Sequence, residues 1–145
     1  MIKWRRHIIC IGARHFNKLS AEASSGDIEV GTISEDATIK TASGKIVLNG
    51  ANKLKAEAIS GDIKINSIEN NCEISSTSGN IIVDTANINE NSFIKTNSGN
   101  VVINNKNDIY VETKTTSGDA DVQNNNRMSE IVLDITTTSG NIKVN

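Results

Sequence analysis

Residues 136–145 read TTTSGNIKVN: a Ser-Gly step, then Asn, then an Ile-Lys-Val alternation, with a threonine run before it. The same phrase stands earlier as SSGDIEV (24–30), ISGDIKI (59–65) and TSGNIIV (77–83). Its Ser-Gly core recurs at Ser25-Gly26, Ser43-Gly44, Ser60-Gly61, Ser78-Gly79, Ser98-Gly99, Ser117-Gly118 and Ser139-Gly140. Recurrence at a near-constant period of about twenty residues is the mark of a repeat architecture, in which one supersecondary unit stacks on the next.

With each glycine as origin, the second residue on is Ile28, Ile46, Ile63, Ile81, Val101, Ala120 or Ile142. The fourth is Val30, Leu48, Ile65, Val83, Ile103, Val122 or Val144. Alternation with period two predicts a strand after each glycine. Upstream, the apolar or small residues fall three, five and seven before the glycine, as in Thr137, Ile135 and Leu133. The inward ranks are therefore odd before the glycine and even after it. A straight strand cannot change faces, because a one-residue slip turns every side chain over. The chain must bend at Ser-Gly-Asp/Asn, where glycine adopts angles that other residues avoid and the Asx side chain supports a turn.

A second change of parity follows. Ile33, Ala51, Ile68 and Ala86 stand seven after their glycines, beyond Gly31, Asn49-Gly50, Asn66-Ser67 and Asp84-Thr85. Each repeat is one coil of an all-β, single-stranded parallel β-helix with about seven coils. Right-handed coiling is the default for parallel crossovers. At about 4.8 Å per coil, seven coils make a rod roughly 30 Å long. Each interior Ile or Val contributes about 1.5–3 kcal/mol of burial, and only stacking can bury it.

Composition agrees. The chain of 145 residues lacks proline and has 3% aromatics, so its core is thin and regular. Net charge is −2, but residues 1–20 hold Lys3, Arg5, Arg6, Arg14 and Lys18 and no acid. Residues 1–19 fit no coil and are expected to be a basic cap or anchor segment, with the solenoid spanning 20–145. Trp4, Ile8 and Ile11 share one face of a helix, although Ile8–Ile11 reads equally as a strand. Membrane contact is expected only through this segment, because no apolar run approaches the roughly 20 residues of a spanning helix. The run IICIGA is short for a secretory signal. The C-terminal strand Ile142–Val144 is expected to be an uncapped edge open to end-to-end self-association.

Chemistry is sparse. Cys10 and Cys72 share no metal-ligand spacing and read as free thiols. His7 and His15 lack the spacing of a helical metal pair. Asp27, Asp62 and Asp119 read as turn residues rather than calcium ligands, since the other corners carry Lys45, Asn80, Asn100 and Asn141. Asp119 and Asp121 are the pair nearest to a catalytic dyad, and the body offers one Arg, Arg127, and no His beside them. No ice-binding threonine ladder is expected, because most threonines fall on inward ranks. Phe93 and Tyr110 are too few for a nucleic-acid stacking platform. The expected protein is not an enzyme and takes no cofactor.

The repeated SGDI-x-V/I and SGNI-x-V, each after a Thr/Ser/Ala-rich strand, resemble a bacterial adhesin-type β-solenoid family of poorly characterised function. The resemblance covers residues 20–145. It implies a surface or envelope module that binds a protein or glycan ligand, and it carries no catalytic residues. A cytoplasmic β-helical scaffold that polymerises end to end is the alternative, and a carbohydrate-active β-helix enzyme a third.

Overall fold

The computed structural model describes residues 2–4, 9–11, 16–123 and 125–145. Arg5, Arg6, His7, Ile8, Arg14 and His15 lie outside them, as does the Cys10 side chain. The described strands are β1 (Ile2–Trp4), β2 (Ile9–Ile11), β3 (Phe16–Ser25), β4 (Ile28–Ser43), β5 (Ile46–Ser60), β6 (Ile63–Ser78) and β7 (Ile81–Ala86). They continue with β8 (Ser92–Ser98), β9 (Val101–Asn105), β10 (Tyr110–Ser117), β11 (Ala120–Val122), β12 (Val132–Ser139) and β13 (Ile142–Val144). All the pairings are parallel, and apart from bulges such as those between Ile33 and Asp36 and between Ala51 and Lys53 they match rank on rank: Ile28↔Ile46↔Ile63↔Ile81↔Val101 runs along one wall of the interior. The molecule is a β-solenoid of about seven turns, as the repeat requires.

Outside the Gly118 coil the inward ranks are buried as their parity demands. Leu19, Ala37, Leu54, Cys72, Ser92, Val111 and Leu133, all seven before a glycine, are buried. So are Ile33, Ala51, Ile68 and Ala86 beyond the second corner. Ile88 and Ile109, which lie in the connections, are also buried and add a small apolar filling that the repeat does not announce.

The corner has a steric cause. All seven Ser-Gly glycines have φ between 110° and 149°. A Cβ on Gly79 would lie 2.1 Å from the carbonyl oxygen of Gly61, the glycine of the coil below. Gly61 stands likewise over Gly44, and Gly99 over Gly79. Glycine is needed here for both its angles and its missing side chain.

The order of coils departs from the order of the chain. β12 pairs with β8 and with β10, and β13 with β9 and with β11. The Gly140 coil therefore lies between the Gly99 and Gly118 coils. The glycines repeat the order, for a Cβ on Gly140 meets Gly99 O and one on Gly118 meets Gly140 O. This corrects the expected open edge. Ile142 and Val144 are 1% and 0% exposed, with a strand on either side. The physical reason is burial. Leu133, Ile135, Ile142 and Val144 fill the inward ranks of the Gly140 coil, whereas the Gly118 coil offers Thr113, Thr115 and Ala120. Placing the poorer coil outermost leaves Thr113 and Thr115 half-buried and Ala120 exposed, and buries the aliphatic set on both sides.

The outermost edge is thus β10–β11. Part of it is closed by the chain itself. The Asn125 side chain donates Nδ2–H to Val111 O at 2.9 Å and accepts Val111 N–H on Oδ1 at 2.9 Å, as a neighbouring peptide would. Asn126 N–H adds a bond to Ile109 O at 3.0 Å. At the other end, β1 pairs with β3 (Lys3↔Glu22) and β2 with β4 (Cys10↔Glu29). Residues within the expected 1–19 cap therefore extend the ladder as strands, and β3 itself begins at Phe16.

Candidate functional site

The outward face of the solenoid is a set of stacked ladders, each built from one rank of the repeat. The first runs along the corners. Asp27 Oδ1 accepts the Lys45 N–H at 2.8 Å, Asp62 Oδ1 that of Asn80 at 2.8 Å, and Asn80 Oδ1 that of Asn100 at 2.9 Å. Asn100 and Asn141 pass the pattern on to Asn141 and Asp119. This is why Asp or Asn follows the glycine: its oxygen satisfies the corner N–H of the next coil. Asp27 and Asp62 are thus spent on backbone, and among the described residues no group of three acids, histidines or cysteines is placed to hold an ion. Lys45 has no oxygen to offer Asp62 N–H. Lys45→Asn is expected to raise stability by about 0.5–1.5 kcal/mol, read from chemical denaturation midpoints.

A second, inward ladder uses hydroxyls. Thr96 Oγ1 donates to Gly79 O at 3.5 Å, Thr137 to Gly99 O at 3.4 Å and Thr115 to Gly140 O at 3.3 Å. The threonines three before each glycine therefore answer the corner carbonyls. Thr41 and Ser76 occupy the same rank but their buried hydroxyls find no partner. An unpaired buried hydroxyl destabilises while a paired one does not, so the isosteric change to valine should separate the two cases. Thr137→Val is expected to cost about 0.5–1.5 kcal/mol, and Thr41→Val to be neutral or to stabilise by up to about 1 kcal/mol. Equal losses at both positions in thermal melts would contradict this.

The face before the corner carries charge in alternating rows. Lys40 Nζ lies 2.9 Å from Glu57 Oε2, Lys18 lies 3.7 Å from Asp36, and Lys55 lies 4.0 Å from both Glu57 and Glu73. The hydrogen bond that Lys40 donates to Glu57, then the charge of Glu57, raises the pKa of Lys40. Such exposed pairs contribute little each, but they set coil against coil in one register. The shallow hollow on this face, between Glu22, Lys40 and Glu57, is crossed by the Lys40–Glu57 pair.

Beyond the second corner amides dominate, beside the Lys53–Glu90 ion pair at 2.9 Å and the Glu69 carboxylate, which accepts from Ser67 Oγ. Asn66 Nδ2 donates to Asn49 Oδ1 at 3.1 Å, and Asn49 Nδ2 to Thr32 Oγ1 at 3.2 Å. A parallel rail joins Asn52, Asn70, Asn89 and Asn107: Asn70 donates to Asn52, Asn89 to Asn70 at 3.1 Å, and Asn107 to Asn89 at 2.9 Å. Between the first rail and Asn52, where the second begins, lies an open groove of about 660 Å³, with Gly50, Ala51 and Ser67 along it and one carboxylate, Glu69, at its wall. An amide carries two donor hydrogens and two acceptor lone pairs. Asn49 spends one donor and one acceptor on its neighbours and Asn66 one donor, which leaves both with capacity to face a ligand, whereas the amide hydrogens of Asn89 and Asn107 are also taken by the carbonyls of Glu69 and Ile88. The small residues allow a ligand to approach the backbone.

Other sequence candidates are dispersed. Asp119 lies at the corner of the outermost coil and Asp121 on its outward rank, both exposed. Arg127 sits in the loop after β11. No three of His, Cys, Asp and Glu come together among the described residues. The metal question raised by His7 and His15 lies outside them. Phe93 is 43% exposed beside Lys95 and Asp134, apart from the groove. Cys72 is buried in the core, and desolvation pushes its thiol up to about 12, so it is no nucleophile at neutral pH. Ser92 Oγ accepts the Cys72 backbone N–H at 3.0 Å. Among the described residues, no helix is long and apolar enough to cross a membrane.

The amide rails were not legible as a site, because asparagines in connections read as turn formers. Their spacing was the available signal: Asn49 and Asn66 lie one coil apart, as do Asn52, Asn70, Asn89 and Asn107. No curated protein and no solved structure matches the chain. One family model does, over residues 9–145, which takes in β2 and all seven corners, and its description carries no adhesive activity. This β-solenoid with its ladder of Ser-Gly corners belongs to the Toastrack family, DUF4097, a domain of unknown function.

Proposed function

We propose that this domain is a non-catalytic interaction module that binds an uncharged, polyhydroxylated polymer, a glycan of the cell envelope, along the groove between the amide rails. The observation that supports it is the hydrogen-bonded rail Thr32–Asn49–Asn66, which faces Asn52 across a floor of small residues, Gly50, Ala51 and Ser67. Hydroxyl groups both donate and accept, as the spare amide valences do. The groove runs across stacked coils, so an extended chain can meet several equivalent rungs, and repetition adds avidity to weak single contacts.

The test is retention of the full chain on a panel of neutral and acidic polysaccharides. Neutral glycans are expected to bind, with affinity that holds in high salt because no charge pair is involved. Asn49→Ala with Asn66→Ala is expected to abolish binding while the fold, followed by circular dichroism, persists. Binding only to acidic polymers, or binding indifferent to the double change, overturns this function.

A second reading, an end-to-end scaffold, is favoured by the β10–β11 edge beyond Val111, which no other described strand covers. Light scattering over a concentration series decides it. Growth into long assemblies supports the scaffold, and a size that never exceeds a dimer dismisses it.

A further inference from the structure

The Gly140 coil is inserted, and an inserted coil needs a slot. Leu133 and Ile135 pair with Ser92 and Ile94 on one side and with Val111 and Thr113 on the other. Ile142 and Val144 pair with Val101 and Ile103 and, across the coil, with Ala120 and Val122. Its packing partners are these two neighbouring coils. Its covalent tether is the polar stretch between Val122 and Ile131, QNNNRMSE.

During synthesis the Gly118 coil emerges before the Gly140 coil, and the free edge it meets is that of β8–β9. The ranks allow it to dock there, with Val111 over Ser92, Thr115 over Thr96 and Val122 over Ile103. Docked there, it would have to leave that edge to admit residues 131–145. While the slot is open, the two walls present the same ladder to any copy of the inserted coil. Exchange between two chains preserves every strand pairing and loses none, the condition under which swapping is cheap. The tether favours the chain's own coil only through effective concentration.

We infer that residues 131–145 are an exchangeable coil: the slot between β8–β9 and β10–β11 takes them from a second copy of this chain, giving a reciprocally exchanged dimer when the protein folds at high concentration. The dimer has two filled slots and grows no further, unlike an end-to-end scaffold.

Lys95 and Thr136 are direct neighbours across the slot and both face outward. In a Cys10→Ser background, Lys95→Cys and Thr136→Cys are made singly and together. The double variant is expected to close a disulfide within one chain under mild oxidant. The two single variants, unfolded together and refolded at high concentration, are expected to give a covalent heterodimer that increases with concentration. The same two variants mixed after folding should give little, and Thr136→Cys refolded with the distant Lys40→Cys should give none. No heterodimer from the first pair, while the double variant closes, overturns the exchange. A heterodimer of equal yield with Lys40→Cys overturns it as adventitious, and a double variant that fails to close overturns the coil order on which it stands.

Discussion

Replacing Gly79 with alanine is expected to destabilise the protein by about 3–5 kcal/mol, which combines a left-handed backbone strain of about 1–3 kcal/mol with overpacking of similar size. The residue has φ of 142°, and the new Cβ would lie 2.1 Å from Gly61 O and 2.6 Å from its carbonyl carbon. These are backbone atoms in a coil held from above and below, so no side chain can swing aside. Relief requires the two coils to part, which breaks the corner hydrogen bonds Gly61 N–H to Ser78 O and Asn80 N–H to Asp62 Oδ1. Against a whole-domain stability of about 5–15 kcal/mol this is a large fraction. Gly50→Ala is the control. Gly50 is not among the positive-φ glycines, and its Cβ would meet Thr32 Cγ2 at 3.6 Å and Ser67 Cβ at 3.8 Å, ordinary contacts. It should change stability by no more than about 1 kcal/mol, in the stabilising direction if the backbone entropy of glycine dominates. Urea melts of the two variants side by side decide the matter. Similar midpoints for both would mean that the Ser-Gly step is not a sterically closed corner.

The second large effect separates the observed coil order from the sequential one. Ile135 is fully buried because the Gly140 coil is covered on both sides. Ile135→Ala is expected to cost about 2–5 kcal/mol, the range for deleting a large aliphatic group from a packed interior. Thr113 stands on the same rank of the outermost coil and is half-buried, so Thr113→Ala should cost less than about 1 kcal/mol. In a solenoid stacked in chain order the two positions would trade places, and the burden would fall on residue 113. Hydrogen exchange gives an independent reading. Amides of β12 and β13 should be protected as well as those of β8, and amides of β10 beyond Val111 should exchange with the edge. Early exchange of β12 and β13 together with a mild Ile135→Ala would reverse the order.

The correct expectations share a property: each follows from local sterics repeated many times. Ser78-Gly79-Asn80 reads as a corner because the face of the strand changes there, and the clash of a Cβ with Gly61 O is the same statement in three dimensions. Ile33, Ala51, Ile68 and Ala86 read as inward from parity alone. The use of Asp27, Asp62 and Asn80 as turn residues also stands, although their hydrogen bonds reach the next coil rather than their own backbone. That distinction, invisible along the chain, is what makes Lys45 a missing rung.

By itself, the amino-acid sequence determined the period, the corners, the inward ranks and hence the parallel solenoid, because strand alternation and glycine conformation act within a few residues. Only the tertiary structure decided which coil lies next to which, where the free edge falls, which hydroxyls of the threonine rank find a carbonyl, and that asparagines one coil apart join into rails. Every coil presents the same ladder of N–H and C=O groups, so local preference does not distinguish Gly118 from Gly140 as the neighbour of Gly99. The choice is made by total burial, which favours Leu133, Ile135, Ile142 and Val144 between two coils and leaves Thr113, Thr115 and Ala120 at the end.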